Sequence, residues 1–381
     1  MKTYQIEPMA PLVFRSGRPF GESSRDGANF PWPSSVAGMM RTVAMDAKGW
    51  PASGLTESRQ KELMGMEAVG PLLARREAGK IMPMFPKPTD ALYLLPEKET
   101  KPVVCRLAPG EYPAGCGSDL PPGLAPVMLE ENAPKSKPQK GADYWTLDQL
   151  LAWRRNEEVK FCSLSVAKPE VDTRTNVAID PNTFAAANGK LFQIEGLDFG
   201  NLRRKQGGFE NTDWLLLAQF SVALPEQAVT LGGERRLSWL APAATDPLVM
   251  PDGYASQLAN SSGIALTLAT PALFNQGWKP DWLNEQLQGD FPGIPGLRLR
   301  LKAVAIERWQ GISGWDLKKW QPKLARKAVA AGATYWFEII STPPLGWEQK
   351  LWLASISDAE QDRRDGFGMV IAGLWTPTSN Q

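Results

Sequence analysis

The chain of 381 residues contains no histidine. That absence removes the side chain that most often moves protons near neutral pH and most often ligates transition metals. Serine-histidine triads, zinc proteases and histidine ribonucleases are excluded. Cysteine is scarce too: Cys105, Cys116 and Cys162 stand 11 and 46 residues apart, so no CxxC pair can hold zinc or run redox chemistry. They read as ordinary reduced thiols, and no metal or cofactor is expected. Net charge is only +1, from 42 basic and 41 acidic residues, so bulk charge does not advertise a nucleic-acid partner and any such role must rest on local patches. No apolar run approaches the roughly 20 residues that span a bilayer. The longest, Trp214 to Leu224, is broken by Gln219 and Ser221. The N-terminus MKTYQIEPMAPLVF has no unbroken apolar stretch and no small-residue cleavage site, so nothing marks it for export. A cytoplasmic protein without membrane contact is expected.

What is present is an ordinary globular composition, 43% apolar and 22% charged, in a length that divides into two domains at roughly 150 residues each. A short opening strand, Thr3 to Glu7, leads through a Gly/Arg-rich loop to a helix from about Ser35 to Lys48. Pro33 and Ser34 open that helix, Val36, Met39, Met40, Val43 and Ala47 form its apolar stripe, and Gly49 and Pro51 end it. Residues 109–142 hold seven prolines and five glycines and read as a long surface insertion or partly disordered loop. TLDQLLAWRR, from Thr146, is a second amphipathic helix. Residues 166–199, rich in Thr, Val, Asn and turn formers, predict a projecting β-hairpin. From Trp214 onward, WLLLAQFSVAL, IALTLATPALF, LRLRLKAVAI, ATYWFEII and GMVIAGLW are strand-like, with DWLNEQL as an intervening helix. Two successive blocks of this kind predict an α+β fold with mainly antiparallel sheets. A pair of ferredoxin-like (βαββαβ) domains, over 1–212 and 213–381, satisfies the order.

Charge is unevenly spread. Residues 296–327 carry nine basic residues against two acidic ones. Within them LRLRLKAVAI alternates, with Leu297, Leu299, Leu301 and Ala303 on one face and Arg298, Arg300 and Lys302 on the other. This is a half-buried strand whose basic face is either merely solvated or tracks phosphate. The segment FRSGRPFGESSRDGANFPWPSSVAGMMRT sets Arg15, Arg18 and Arg25 among Gly17, Gly21 and Gly27, then delivers the chain to a helix with Ser34 and Ser35 in its first turn. Glycines let backbone amides approach an anion, a helix N-terminus supplies free N–H groups, and arginines fork onto phosphate. The segment reads as a polyphosphate-binding corner or, more plainly, as a flexible loop before a capped helix.

This stretch resembles the start of the Cmr-family RAMP proteins of type III-B CRISPR effector complexes, specifically the third subunit of that module. Matching pieces follow in order: GPLL at Gly70, PKPTDAL at Pro86, YWTLDQLLAW at Tyr144, AIDPNT at Ala178 with GKLF at Gly189, and LGGERRLSWL at Leu231. TPALF at Thr270 with GW at Gly277, GWDL at Gly314 and GFGMVIAGLW at Gly366 complete a set that spans essentially the whole chain. The resemblance implies two RRM-like folds, glycine-rich loops on RNA backbone, a thumb-like hairpin and a grip on the 5′ tag of the CRISPR RNA. It also implies docking with the large polymerase-like subunit and the backbone RAMP subunits; no homo-oligomer is expected.

Carried over by position, Arg15, Arg18, Gly38 and Arg41 belong to the tag-binding surface, with Ser34 at the helix start. Arg174, Thr175 and Asn176 lie on or near the thumb. Gly232, Gly233, Arg235 and Arg236 form a tight turn followed by guanidiniums. Gly366, Phe367 and Gly368 form a terminal glycine-rich loop in which Phe367 either stacks on a base or is buried. Most of the fifteen tryptophans read as core; Trp32, between two prolines in the arginine loop, is the exception. No P-loop and no GxGxxG spacing occurs. The expected function is that of a non-catalytic RNA-binding subunit, with a sheet face bordered by basic loops reading single-stranded RNA. The alternative is a histidine-independent endoribonuclease that processes the guide precursor with tyrosine or lysine.

Overall fold

The opening run Lys2–Pro8 alternates: Tyr4 and Ile6 are fully buried, while Gln5 and Glu7 are only half covered. That period of two is the signature of a strand with one face in a core. In the computed structural model, residues 1–14, 27–200, 202–205, 208–211, 213–316 and 321–377 are described. They form two units, one of residues 1–82, 168–246 and 310–327, the other of residues 83–167, 247–309 and 328–381. The boundary expected at 212/213 differs from this division. Asp213–Phe220 pairs with the opening strand, so the first sheet is completed by residues beyond that point.

In the first unit, β1 (Lys2–Pro8) is followed by α1 (Pro33–Ala47) and β2 (Ala68–Glu77). Pro33 supplies the preset φ that suits the first helical turn, and Gly49 at φ 65° lies just past the helix end. Val36, Met39, Met40 and Val43 are buried as the stripe predicts. A two-stranded hairpin, β3 (Glu170–Ile179) and β4 (Ala186–Asp198), is paired from Glu170 opposite Asp198 to Ile179 opposite Ala186. Then come β5 (Asp213–Phe220), β6 (Gln227–Thr230) and β7 (Leu237–Pro242). These five strands lie side by side in the order β6-β7-β1-β5-β2 within a seven-stranded sheet, with β1 antiparallel to both β5 and β7 and β5 antiparallel to β2.

The second unit repeats this plan with different helices. Its strands β8 (Gly263–Leu268), β9 (Gln288–Asp290), β10 (Arg298–Ala305), β11 (Thr334–Ile339) and β12 (Val370–Trp375) form one antiparallel sheet in the order β9-β10-β11-β8-β12. In both units the four main strands therefore lie in the spatial order fourth, first, third, second. DWLNEQL is not the expected helix. The Asn284 side chain accepts from the backbone of Gln286 and Gln288, and Leu287 sits at φ 58°. Such local side-chain bonds offer the backbone an alternative to the helix.

Strand β10 also corrects the expected face pattern. Leu301 lies opposite Phe337, but Ala303 lies opposite Trp336. A bulge of one residue thus moves Ala303 and Ala305 to the other face, where they pack with Ala265 and Trp336. Arg300 on that face is paired with Glu338 at 3.2 Å.

The Pro-rich insertion covers this second face. Residues 111–123 are exposed, yet Ala125 N–H donates to Lys302 O at 2.7 Å, and Ala125 and Val127 pack on the alanine and tryptophan cluster. Val127–Leu129 extends a small sheet as the neighbour of Val103–Pro109. α2 (Leu147–Arg154) begins with a reciprocal capping box between Thr146 and Gln149. It brings Trp153 and Arg154 onto Asp90. The sheet face of the second unit is consequently filled by protein rather than open to RNA, which corrects the expectation of a sheet-face reader there.

Candidate nucleic-acid interface

Three segments distant in sequence meet in the first unit. The first is the base of the arginine loop. The Asn29 amide donates to both Phe14 O and Gly27 O at 2.9 Å, stapling together the two ends of the segment that carries Arg15 and Arg18. Arg15 and Arg18 themselves lie outside the described residues.

The second segment is the β3–β4 hairpin. Leu12 and Leu197 exchange backbone hydrogen bonds of 2.8 and 2.9 Å, and Ala28 N–H donates to Glu195 Oε2 at 3.2 Å. Both ends of the arginine loop are thereby fixed to the hairpin.

The third is the turn Gly232–Arg236. Gly233 N–H donates to Val13 O at 2.8 Å, and Leu231 N–H to Arg236 O at 2.8 Å. Gly232 must be glycine: its φ is 79°, and a Cβ there would stand 2.8 Å from Val13 O. Glu234 and Arg235 follow at φ 59° and 50°, a left-handed conformation that is costly for residues with a Cβ.

Between these segments runs an open groove lined by Pro11, Val13, Asp172, Arg174, Asn176, Ile194, Gly196, Glu234 and Arg236. Three of the sequence-predicted residues, Arg174, Asn176 and Arg236, thus share one surface. The two guanidiniums are not bare. Arg174 Nε donates to Asp172 Oδ2 at 2.6 Å, and Arg236 Nη2 to Glu234 Oε2. Arg174 remains about half exposed, at 51% of its side chain. Thr175 is exposed on the other hairpin face and accepts from Gln193 Nε2 at 3.4 Å. Arg235 is exposed beside the groove.

α1 points an undecorated N-terminus into the same unit: Trp32 gives no side-chain cap, and the first turn holds no acid. Ser34 is half-buried there, and Gly38 is exposed with open space where a Cβ would stand. Pro33 has no N–H and Ser35 N–H donates to Trp32 O at 2.9 Å, so this first turn offers an anion little donor capacity.

Five predicted site residues are corrected. Arg41 is buried on α1, where Nη2 and Nε donate to Met66 O at 2.7 and 3.3 Å. Its charge closes the helix against the chain that enters β2. Trp32 is 5% exposed and belongs to the core. Phe367 is fully buried and cannot stack on a base. Its flanking glycines are buried too: Thr270 Oγ1 donates to Gly366 O at 2.7 Å, and Gly368 N–H to Pro271 O at 2.7 Å. The terminal glycine motif is an internal corner of the second unit.

Sequence reasoning missed the role of the carboxylates Asp172, Glu195 and Glu234: the first and third meet arginines two residues on only once the strand and the left-handed turn have formed, and Glu195 accepts from Ala28 of another segment. It also missed Phe184. That residue stands at the hairpin tip, 83% exposed at φ 55°, on a turn organised by Asp180 Oδ1 accepting from Asn182 N–H at 2.7 Å. The AIDPNTF run carries the signal, an Asx-type turn with an aromatic on its far side.

Among the described residues no group of three or more carboxylate or thiol side chains could hold a metal ion, and no helix is long and apolar enough to cross a membrane.

A family model described as CRISPR-associated protein (Cas_Cmr3) matches residues 4–375. Compared with curated protein sequences, the chain finds no match. Among solved structures it is similar to a chain of a type III-B Cmr-beta complex bound to cognate target RNA and AMPPnP, at 15% identity over 88% of this chain and 86% of that one, with a TM-score of 0.48. A second such chain, from Cmr-beta bound to cognate target RNA, gives 15% identity over 88% and 86% with a TM-score of 0.47. A chain of the Csm3-Csm4 subcomplex of a type III-A CRISPR-Cas interference complex gives 9% identity over 99% and 100% with a TM-score of 0.38.

Proposed function

The chain belongs to the Cas_Cmr3 family of CRISPR-associated proteins, and from that premise we propose that it is a non-catalytic RNA-binding subunit of a type III-B effector complex, one that holds the repeat-derived 5′ tag of the guide RNA. The strand order shared by the two sheets supports reading each unit as ferredoxin-like. Its neighbours in the complex would be the large polymerase-like subunit and the backbone RAMP subunits.

One observation carries the site. The stapled base of the arginine loop, the β3–β4 hairpin and the Gly232–Arg236 turn converge on one groove. A guanidinium presents a planar fork of donors that matches a phosphate, and the Asn176 amide adds a neutral partner. Arg15 directly follows Phe14 in the sequence, and it and Arg18 are assigned to the tag by the family resemblance alone. Binding of this kind tracks the sugar-phosphate strand and leaves the bases to other contacts. The role is architectural: a guide fixed at its first nucleotides sets the register in which the rest of the complex measures a target.

The test is crosslinking in the assembled complex. Guide RNA with 4-thiouridine at successive tag positions is bound, irradiated and digested. Crosslinked peptides are expected from residues 14–29, 170–198 and 231–236. Tag crosslinks confined to other peptides, or to other subunits, would overturn the assignment.

A further inference from the structure

The two groove arginines are engaged in the same way. Arg174 is held by Asp172 and Arg236 by Glu234, each a carboxylate two residues earlier in the chain. All four side chains line one groove, although the two pairs come from separate segments. The partners are fixed by different backbones. Asp172 and Arg174 project from the same face of β3, as residues two apart in a strand must. Glu234 and Arg236 are brought together by the left-handed residues Glu234 and Arg235. In each pair one carboxylate oxygen accepts from the guanidinium, at Arg174 Nε and at Arg236 Nη2, in the place a phosphate oxygen would take.

We propose that Asp172 and Glu234 stand in for RNA phosphates in the free protein. Single-stranded RNA then enters the groove by exchange: the Asp172–Arg174 and Glu234–Arg236 hydrogen bonds break, and phosphate oxygens accept from the released guanidiniums while the carboxylates return to water. This deepens the function proposed above and rests on it. The exchange has a physical consequence. Each phosphate gained costs an ion pair already made, so the groove holds a polyanion less tightly than two free arginines would, and discrimination passes to contacts that only the correct strand completes. It also accounts for a binding surface embedded in a chain of near-zero net charge.

The experiment measures the affinity of the full chain for a fluorescein-labelled single-stranded RNA bearing the tag sequence, by anisotropy at fixed ionic strength. Exposed ion pairs are worth about 0.2–1 kcal/mol each, so the double variant Asp172→Asn/Glu234→Gln is expected to bind about two- to thirtyfold more tightly. Glu97→Gln/Glu99→Gln is the control, because it makes the same change in net charge at exposed residues of the other unit. A gain in the groove variant that exceeds the control supports exchange. An equal gain, no gain or a loss overturns it. Arg174→Ala/Arg236→Ala is measured alongside. Weaker binding there, with no gain in the carboxylate variant, refutes exchange while leaving the groove as the RNA site. Unchanged binding in the arginine variant refutes the groove itself.

Discussion

Arg154 lays one guanidinium nitrogen across both carboxylate oxygens of Asp90 inside the second unit, where the two side chains are 2% and 1% exposed. Trp153 Nε1 donates to the same carboxylate at 3.0 Å, and Thr334 Oγ1 at 2.8 Å. Arg106 lies over the Trp153 ring, 3.5 Å from its centroid, and donates to Trp153 O at 2.9 Å. Burial, followed by the nearby Arg154 charge, pushes the Arg106 guanidinium down to about 10. Asp90 comes from PKPTDAL, and Trp153 and Arg154 from the end of the TLDQLLAWRR helix. Two segments that made the family recognisable are therefore each other's partners in the interior.

Removing one member of that pair should be severe. Asp90→Ala leaves a buried guanidinium without its counter-charge and strands two donors, a loss of about 3–5 kcal/mol. Urea denaturation of the variant is expected to show a lower midpoint with an unchanged slope. Asp90→Ala/Arg154→Met should recover part of the loss, and strict additivity of the two single variants would show that the pair is not coupled.

Alkaline unfolding should report on Tyr93. Its hydroxyl donates to Ala142 O at 2.8 Å and accepts from Trp145 Nε1 at 2.8 Å. Burial pushes this phenol up to about 12 from the ordinary 10. A raised folded-state pKa contributes stability that is intact below pH 10 and is lost as pH rises through about 12, because the unfolded chain gives up the proton first. Stability measured from pH 9 to 12 should fall, and Tyr93→Phe should flatten that fall while costing about 1–3 kcal/mol at neutral pH for the orphaned indole N–H.

The terminal glycine motif should behave as structure. Gly368 has φ 75°, and a Cβ there would stand 2.5 Å from Ser357 Oγ and 2.8 Å from Ser357 N. Gly368→Ala is expected to lower stability by about 1–3 kcal/mol through backbone strain and crowding. A variant of wild-type thermal stability whose only defect lay in RNA affinity would contradict this assignment.

Salt should distinguish phosphate contacts from the rest. For single-stranded nucleic acid the slope of log affinity against log salt changes by about 0.7 for each phosphate neutralised. Arg174→Ala/Arg235→Ala/Arg236→Ala should weaken binding and flatten that slope by up to about 2, whereas Arg41→Ala should cost stability and leave the slope of the folded fraction unchanged. A flattened slope in the Arg41 variant would mean that its buried position does not describe the bound protein.

How far the sequence could be read differs by level. The α1 stripe, the Thr146 cap, the hairpin over 166–199 and the strands after Trp214 were legible, because each is set by neighbours within a few residues: a proline at the first helical position, a capping box, a period of two. The lost DWLNEQL helix and the bulge in β10 were not. A single asparagine side chain decides the first and the register against β11 the second, and both act across the local pattern.

The same division runs through the site. Composition alone settled that no imidazole chemistry operates here, and the ordered motifs settled the family, since absence of a residue type and order along a chain need no fold to interpret. Which arginines face solvent was decided only by tertiary structure. Arg41, Arg154 and Arg236 look alike in a string of letters. Long-range pairing puts the first on the Met66 carbonyl, the second on Asp90, and the third at the rim of a groove. A guanidinium's role depends on the burial and counter-charges around it, and those come from segments that meet only when the chain has folded.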